Sequence, residues 1–283
     1  MSTTVQTSPA PGAPPAKARR SPPRRSRSML FWRLALVAEV VVFLGLWQLA
    51  VAQFELVRPT MLPPPTEIAS SLGELVTDDG FFDALLYSLQ NLAVGLALAI
   101  VVGIVLGLAM GWFRILQFTV APLMWGLYAT PTVALAPLII LGFGLGDTSK
   151  IVLVFIMSVF PIMLNTMEGV QTVSDSLIRA GRVFGANGTA LGRKVVLPAT
   201  FPFLLVGLQR GVALAFIGEI LGEFLGGAGG IGHMLEMATF DFRMADALAI
   251  VVVMVIVINA ALIVLALLRR RFTPWYDTSV AKI

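Results

Sequence analysis

Two acidic residues in a mainly apolar run are the first candidates for chemistry in this chain. Glu219 and Glu223 lie four residues apart, so in a helix both side chains lie on the same face. If the run spans a membrane, a buried acid is costly and suggests a functional site. We expect the pair in a gate or at the mouth of a translocation path. The alternative is two hydrated residues at the outer membrane interface, paired with Arg243 or Lys150.

The groups that enzymes use for catalysis do not occur here in any known arrangement. The sequence has no cysteine and a single histidine, His233, which excludes disulfides, thiolate chemistry and cysteine-bound metals. Neither a Ser/His/Asp arrangement nor an H-E-x-x-H motif is present, and residues 188–194 lack the spacing of a phosphate-binding loop. We therefore expect no catalytic residue, no metal site and no cofactor bound by this chain.

A polar segment, residues 175–198, interrupts the apolar runs with the sequence DSLIRAGRVFGANGTALGRKVVLP. Asp175 suits the first turn of a helix, and Gly185 suits a left-handed C-terminal stop. Residues 189–196 then form a second short helix, which we predict ends before Pro198. The residues that share one face of the first helix are Leu177, Ala180, Gly181 and Phe184. Two short helices at an angle would form a compact projection for a partner, named here the docking knob (residues 175–198).

The elements that carry these residues are predicted to be transmembrane helices. Apolar residues make up 57% of the chain and charged residues only 13%, which is unlike a soluble domain. Runs of about 20 apolar residues are long enough to cross a bilayer as helices. They predict an all-α integral membrane protein with six transmembrane helices, at residues 31–52, 84–110, 118–146, 151–170, 201–221 and 247–268.

The distribution of basic residues predicts the orientation. With the N-terminus in the cytoplasm, 17 of the 20 Lys and Arg residues lie on the inner side, leaving Arg58, Lys150 and Arg243 outside. Both termini and the docking knob are then cytoplasmic. The basic composition reports membrane orientation, so we expect no nucleic-acid partner.

Glycine and proline distinguish two of the predicted spans. The second span has small residues at every fourth position, Gly95, Ala99, Gly103, Gly107 and Gly111, which allow another helix to approach closely. The third span contains Pro131 and Pro137, each of which removes a helical hydrogen bond. A kinked span beside a translocation path and a bent packing helix are both compatible with these prolines.

The docking knob resembles the cytoplasmic motif of ABC importer permeases, E-A-A-x3-G-x9-I-x-L-P. Arg179, Ala180 and Gly181 stand at the E-A-A positions, and Gly185 follows after three residues. After nine more residues comes Val195-Val196-Leu197-Pro198. Two positions depart from the motif, because Arg179 replaces an acid and Gly181 replaces an alanine. The resemblance implies that Arg179, Ala180, Gly181, Phe184, Gly185, Leu197 and Pro198 contact an ATPase subunit.

Further segments are similar to the nitrate/sulfonate/taurine group of these permeases. They are residues 62–66 (LPPPT), 131–138 (PTVALAPL), 142–146 (GFGLG), 160–162 (FPI), 222–226 (GEFLG) and 230–232 (GIG). The similarity covers roughly residues 60–270. It implies a type I permease fold in the inner membrane of a bacterium, with a type-1 transmembrane domain at 84–270. A first helix with an outer segment (29–83) would precede it, and basic tails (1–28 and 271–283) would flank the whole.

The resemblance also implies a function and its partners. The chain would be the permease subunit of an ATP-driven importer for a small solute, such as a sulfonate, taurine, a nitrate-like ion or a vitamin precursor. Its partners would be an ATP-binding subunit that holds ATP and Mg²⁺, a second permease copy, a solute-binding protein and membrane lipid. The alternative is a secondary transporter driven by an ion gradient, which would need paired ionisable residues near mid-membrane. A membrane-embedded enzyme is a weaker alternative, because clustered His, Asp or Glu residues are missing.

Overall fold

The computed structural model describes residues 25–54, 56–58, 60–227 and 229–272, and the regular structure within them is helical. Most of the predicted terminal tails lies outside these residues. Among the described residues, those up to 47 form one compact unit and those from 48 onward form another. The helices are α1 (Arg25–Ala52), α2 (Pro65–Thr77), α3 (Asp79–Trp112), α4 (Arg114–Thr119), α5 (Ala121–Ala129), α6 (Thr132–Phe143), α7 (Asp147–Gln171), α8 (Asp175–Val183), α9 (Gly188–Leu191), α10 (Leu197–Gly226), α11 (Ile231–Phe240) and α12 (Met244–Phe272).

Five helical stretches of the described residues are long and apolar enough to cross a membrane. They are Leu34–Ala52, Gly80–Trp112, Asp147–Gln171, Gly188–Gly226 and Met244–Arg269. These match five of the six predicted spans. A bent pair, Arg114–Ala129 followed by Thr132–Phe143, passes the same test of length and composition. The all-helical membrane fold is therefore confirmed, and the sixth crossing depends on the bent pair.

The third predicted span, residues 118–146, is not one kinked helix. It is divided into α4, α5 and α6, and the axis bends by 94° between Ala129 and Thr132. Thr130 has an extended conformation (φ −70°, ψ 136°) because the ring of the following Pro131 clashes with helical geometry. Pro131 then forms the N-cap of α6. Pro131 therefore breaks this span instead of bending it, whereas Pro137 lies inside α6.

Helix α7 lies at the centre of the second unit and packs along both α3 and α10. The glycine stripe of α3 faces α7, as the sequence predicts. A Cβ atom placed on Gly95 would lie 2.9 Å from the Ile151 carbonyl oxygen, and one on Gly111 would lie 2.5 Å from Val170 Cβ. Contacting residue numbers rise together along the two helices, so α3 and α7 run parallel.

The packing of α10 on α7 has the opposite direction. A Cβ atom on Gly207 would lie 3.1 Å from the Pro161 carbonyl oxygen, and one on Gly222 would lie 3.2 Å from Lys150 Cα. Since residue numbers rise along one helix while they fall along the other, α7 and α10 run antiparallel. Glycine lets both helices approach α7 closely, which is how helices associate strongly in lipid.

The parallel arrangement of α3 and α7 decides the topology of the bent segment. Two consecutive parallel helices can be joined only if the chain returns along the bundle between them. Helices α4, α5 and α6 supply that return, and α6 packs against α7 and α10 through Ala136, Ile140 and Leu153. The bent pair therefore counts as a crossing and brings the number of spans to six.

This topology gives the bundle of α3, α7 and α10 two distinct ends. One end holds the starts of α3 and α7 and the end of α10. The other end holds the docking knob, which connects α7 to α10. The 25 residues of α7 rise about 37 Å at 1.5 Å per residue, which is more than the thickness of a bilayer core.

Candidate functional site

The first half of the docking knob forms as the sequence predicts. Helix α8 begins at Asp175 after the N-cap Ser174, and its C-cap is Phe184. Gly185 follows with φ +81°, a left-handed conformation that glycine adopts without steric cost. The prediction of a glycine stop at residue 185 is therefore confirmed.

The second half of the knob differs from the prediction. After α9, the residues Gly192–Val196 form one π-helical turn that runs directly into α10. No break precedes Pro198, which is the second residue of α10 and follows the π-helical turn directly. The second short helix therefore becomes the start of the fifth span.

A small residue forms the elbow between the two halves. A Cβ carbon on Gly181 would lie 2.8 Å from Leu191 Cδ1, and Leu191 itself is buried. A Cβ atom at residue 181 would therefore require the end of the Leu191 side chain to shift. Replacing the alanine of the family motif by glycine at this position gives Leu191 the space it occupies.

The outer surface of the knob is apolar and exposed. Phe184 is 90% exposed and Val183 is 85% exposed. This is unusual for large apolar side chains, because their contact with water is unfavourable. The other predicted contact residues exposed on this surface are Arg179, Ala180, Gly185, Leu197 and Pro198, while Gly181 is half-buried. Within the part of the chain that the structure describes, Arg179 has no ion-pair partner. Such a surface is suited to bind another protein.

The opposite end of the bundle buries Glu223, which is 1% exposed. Its carboxylate accepts hydrogen bonds from Ser88 Oγ (2.7 Å) and from the Gly232 backbone N–H (2.8 Å). Ser88 Oγ also accepts a bond from the Ile231 backbone N–H at 2.9 Å. Glu223 therefore connects α10 with α3 and with the start of α11.

Lys150 contributes a buried cation to the same end and is 0% exposed. Its ammonium donates to Tyr87 OH (3.1 Å) and to the Gly229 carbonyl oxygen (3.4 Å), and lies 4.5 Å from the centre of the Tyr87 ring. Tyr87 OH in turn donates to Asp147. Among the described residues, Lys150 makes no direct ion pair with a carboxylate. It is close enough to Glu219 and Glu223 to act on both through its charge.

Glu219 is the least satisfied member of this group. It is 3% exposed, and neither of its carboxylate oxygens has a hydrogen-bond partner among the described residues. The neighbouring Asn91 also has an unpaired amide nitrogen. Glu219 lines a cavity of about 20 Å³ between α3, α10, α11 and α12. We call Tyr87, Ser88, Asn91, Lys150, Glu219 and Glu223 the polar cluster.

The burial of Glu219 and Glu223 bears on the two alternatives predicted for them. Hydrated residues at an interface are ruled out by the burial of both side chains. Arg243 does not pair with either of them, because it pairs with Asp246 (2.7 Å) and Asp241 (3.5 Å). Lys150 is their neighbour, as one alternative expected, although without a direct ion pair.

The two prolines of the predicted path lie elsewhere. Pro131 and Pro137 are exposed on α6 and its N-cap, and neither belongs to the polar cluster. The sequence predicted that these four residues line one path. In the structure Glu219 and Glu223 are buried, whereas Pro131 and Pro137 are exposed.

Comparison with known proteins identifies the family of this chain. The family model for binding-protein-dependent transport system inner membrane components matches residues 99–278, which include the docking knob and α10. The chain belongs to this family. It is 31% identical to the taurine transport system permease protein of Escherichia coli (strain K12), over 87% of this chain and 94% of that protein.

Two further relatives extend the comparison to other transport systems. The chain is 29% identical to a putative aliphatic sulfonates transport permease protein of Bacillus subtilis (strain 168), over 78% of each chain. It is 34% identical to the riboflavin transport system permease protein of Chloroflexus aurantiacus, over 78% of this chain and 82% of that protein. The predicted permease group is therefore confirmed.

Family membership determines what kind of protein this is. An inner-membrane component of a binding-protein-dependent transport system is a multi-pass permease of the bacterial inner membrane, and it is not an enzyme. ATP hydrolysis takes place on a separate subunit. The family also implies an ATP-binding subunit and a solute-binding protein as partners.

Sequence reasoning missed most of the polar cluster in this permease. Tyr87, Ser88 and Asn91 received no role, although together with Gln90 they form a short polar stretch in a mainly apolar span. Ser88 and Asn91 lie three residues apart, so both side chains are on the same face of α3. That spacing in a transmembrane helix is the signal that identifies them.

Proposed function

We propose that this permease carries a small organic anion, such as a sulfonate or taurine, across the inner membrane. The relatives named for taurine and for aliphatic sulfonates support this choice. The relative named for riboflavin supports a vitamin or vitamin precursor as the second candidate. In this proposal the solute-binding protein selects the substrate and delivers it to the permease.

The docking knob is proposed to bind the ATP-binding subunit, which would hold ATP and Mg²⁺. The observation that carries this proposal is the exposed apolar surface around Phe184 and Val183, at the point where α7 connects to α10. Arg179, Ala180, Gly185, Leu197 and Pro198 would contribute to the contact, and Gly181 would keep the elbow narrow. Movement of the ATPase subunits would be transmitted from the knob to α10, because the π-helical turn of the knob runs into α10 without a break.

A second copy of the chain is proposed to complete the translocation path. The exposed apolar residues of α5 and α6, beside Pro131 and Pro137, are suited to contact that copy or membrane lipid. Glu219 and Glu223 would lie near the outer end of the path as part of its gate. An ion-gradient-driven secondary transporter does not fit a chain of this family, since its members work with an ATPase subunit.

The experiment that tests the ATPase coupling is reconstitution of the permease with its ATP-binding subunit in proteoliposomes. The two proteins should co-purify. Uptake of the solute should require ATP on the side of the vesicle membrane that the docking knob faces. A permease that transports solute without ATP, or that never associates with an ATP-binding subunit, would contradict the proposal.

The substrate is tested separately. Calorimetric titration of the cognate solute-binding protein with taurine, an alkyl sulfonate and riboflavin should give tight binding of one sulfonate only. Tight binding of riboflavin instead would replace the first candidate by the second. Neither result affects the assignment of the docking knob.

A further inference from the structure

The polar cluster holds more acidic than basic side chains. Three ionisable side chains are almost fully buried there, the acids Glu219 and Glu223 and the base Lys150. If both acids were ionised, one negative charge in this interior would have no counter-charge. A buried charge without a partner is strongly unfavourable, and such groups become neutral instead.

The hydrogen bonds show which acid is suited to be the anion. Glu223 accepts from two donors, the Ser88 hydroxyl and the Gly232 backbone N–H, one at each carboxylate oxygen. A Cβ atom at Gly232 would lie 2.7 Å from Glu223 Cβ, so only glycine allows its N–H to approach this closely. The site around Glu223 therefore binds a carboxylate.

Glu219 has the opposite environment. Neither oxygen makes a hydrogen bond to a described residue, and the neighbouring Asn91 amide nitrogen is also unpaired. The cavity that Glu219 lines is otherwise formed mainly by apolar side chains, including Leu85, Leu89 and Phe216. An ionised carboxylate can only accept hydrogen bonds, whereas a protonated one can also donate. Glu223, one turn along the same helix face, still has free lone pairs to accept such a bond.

We propose that Glu219 holds one proton and donates it in a hydrogen bond to Glu223, so that the two carboxyl groups and Lys150 form a neutral buried cluster. Hydrogen bonds connect α10 to α3 through Ser88 and to α11 through Gly232, and Lys150 of α7 bonds to Tyr87 of α3 and to the Gly229 carbonyl oxygen after α10. The inference stands on the geometry of these residues and does not depend on the proposed substrate or on the ATPase contact.

The other ionisable groups near Glu219 come from two helices. Helix α3 contributes Tyr87, and α7 contributes Lys150 and, through the Tyr87 hydroxyl, Asp147. Helix α12 faces the cavity with Met254 and Val257, and α11 faces it with Ile231. Among the described residues that line the cavity, Glu219 and Glu223 are the only ionisable ones.

The cavity is large enough for one water molecule beside the proton site. Its volume of about 20 Å³ exceeds the space that a single water needs, which is about 10–15 Å³. Ser88, Glu219 and Glu223 are its polar lining residues. A water there would give the second Glu219 oxygen a donor, and it would not change the charge of the cluster.

The first test compares neutral substitutions at the two acids. Glu219→Gln copies the neutral acid, so the full-length chain in lipid nanodiscs should keep its melting temperature within about 2 °C. Glu223→Gln removes the anion and should lower the melting temperature by about 5 °C or more. The control Glu74→Gln changes an exposed acid on α2 and should have no effect. Equal destabilisation by Glu219→Gln and Glu223→Gln would overturn the proposal.

The second test detects the proton itself and does not depend on stability. Infrared spectroscopy of the purified chain at neutral pH should show the carbonyl stretch of a protonated carboxyl group. The band should disappear in Glu219→Gln and remain in Glu74→Gln. A wild-type spectrum without this band would overturn the proposal, whether or not the variants fold.

A metal cation is the competing occupant, and the same samples distinguish it. Melting temperatures measured in sodium, potassium and choline chloride should agree for the wild type, because a proton needs none of these ions. Stabilisation by sodium or potassium that is absent in Glu219→Gln would assign the site to a metal cation and overturn the proposal.

Discussion

At one end of the α3, α7 and α10 bundle six polar side chains meet, whereas at the other end an apolar surface is exposed. In the polar cluster, Glu223 and Lys150 are buried and hydrogen-bonded to neighbouring helices. In the docking knob, Phe184 and Val183 are almost fully exposed, and α8 has no buried residue. The two ends therefore have burial patterns opposite to what residue type alone would suggest.

The difference indicates which contacts each end needs. The hydrogen bonds of the cluster form within one chain, because its donors come from α3, α7 and the start of α11. The knob exposes apolar surface and, among the described residues, an Arg179 without an ion-pair partner, and the proposed contact with the ATP-binding subunit would cover both. Substitutions in the cluster should thus change folding, and substitutions in the knob should change assembly and coupling.

The largest effect is expected from Glu223→Ala. Removing this carboxylate leaves the Gly232 N–H without an acceptor, the Ser88 hydroxyl with only the Ala84 carbonyl oxygen, and Lys150 with less compensating charge. The free energy of unfolding should fall by about 3–5 kcal/mol, measured by thermal or denaturant unfolding in detergent. Glu74→Ala, on the exposed face of α2, should change it by less than about 0.5 kcal/mol. Similar values for the two variants would show that the cluster does not stabilise the fold.

The second prediction concerns Gly185→Leu in the knob. A leucine at φ +81° costs about 1–2 kcal/mol, so the chain should still insert and fold while the end of α8 changes its path. Solute uptake in proteoliposomes should fall by about tenfold or more, with ATP hydrolysis continuing. Gly188→Ala is the control, because a Cβ atom there meets nothing within 4 Å and φ is not positive. Coupled uptake at the wild-type rate in Gly185→Leu would contradict the proposed role of the knob.

The third prediction separates assembly from folding at Phe184. Truncation to alanine should leave the melting temperature unchanged, because the ring makes few contacts within the chain. Affinity for the ATP-binding subunit should fall by about 10-fold to 100-fold, as is usual for an aromatic anchor. Phe240→Ala removes another exposed ring (69% exposed) at the end of α11 and should not change that affinity. Co-purification and surface plasmon resonance measure both effects.

The smallest effect is expected from Arg179→Glu, which restores the acid of the family motif. Exposed charges contribute little to stability, so the free energy of unfolding should change by less than about 0.5 kcal/mol. Affinity for the cognate ATP-binding subunit should fall by about 1 kcal/mol at low salt and less at high salt. Arg179→Gln, which removes the charge without reversing it, should have about half this effect. An affinity independent of salt in all three proteins would exclude residue 179 from the contact.

Most of the knob could be predicted from the sequence, because its determinants are local. Gly185 adopts the left-handed conformation that its residue type favours, and Asp175 starts α8 as expected. The error at Pro198 has a local cause too, since proline can end a helix or lie in the first turn of the next one. The choice between these depends on whether the preceding turn continues, and here a π-helical turn connects the two.

The polar cluster could be predicted only in part. Glu219 and Glu223 were identified as unusual, but Ser88 lies 135 residues before Glu223 and Asn91 had no assigned role. Which polar side chains meet depends on the parallel packing of α3 on α7 and the antiparallel packing of α10. Those directions follow from glycine contacts between helices, which a single helix's sequence does not specify.

The sequence by itself determined that this chain is a multi-span permease with a docking knob between its fourth and fifth spans. Both properties can be predicted because they depend on residues that are near each other in the sequence. A span follows from the transfer of about 20 consecutive apolar side chains into lipid, and the knob follows from the spacing of a short motif. Only the tertiary structure decided that the third span breaks at Pro131, and that Lys150, Glu219 and Glu223 are buried together. The physical reason is that a charge in an apolar interior is tolerated only with partners from other helices, and the packing of those helices selects the partners.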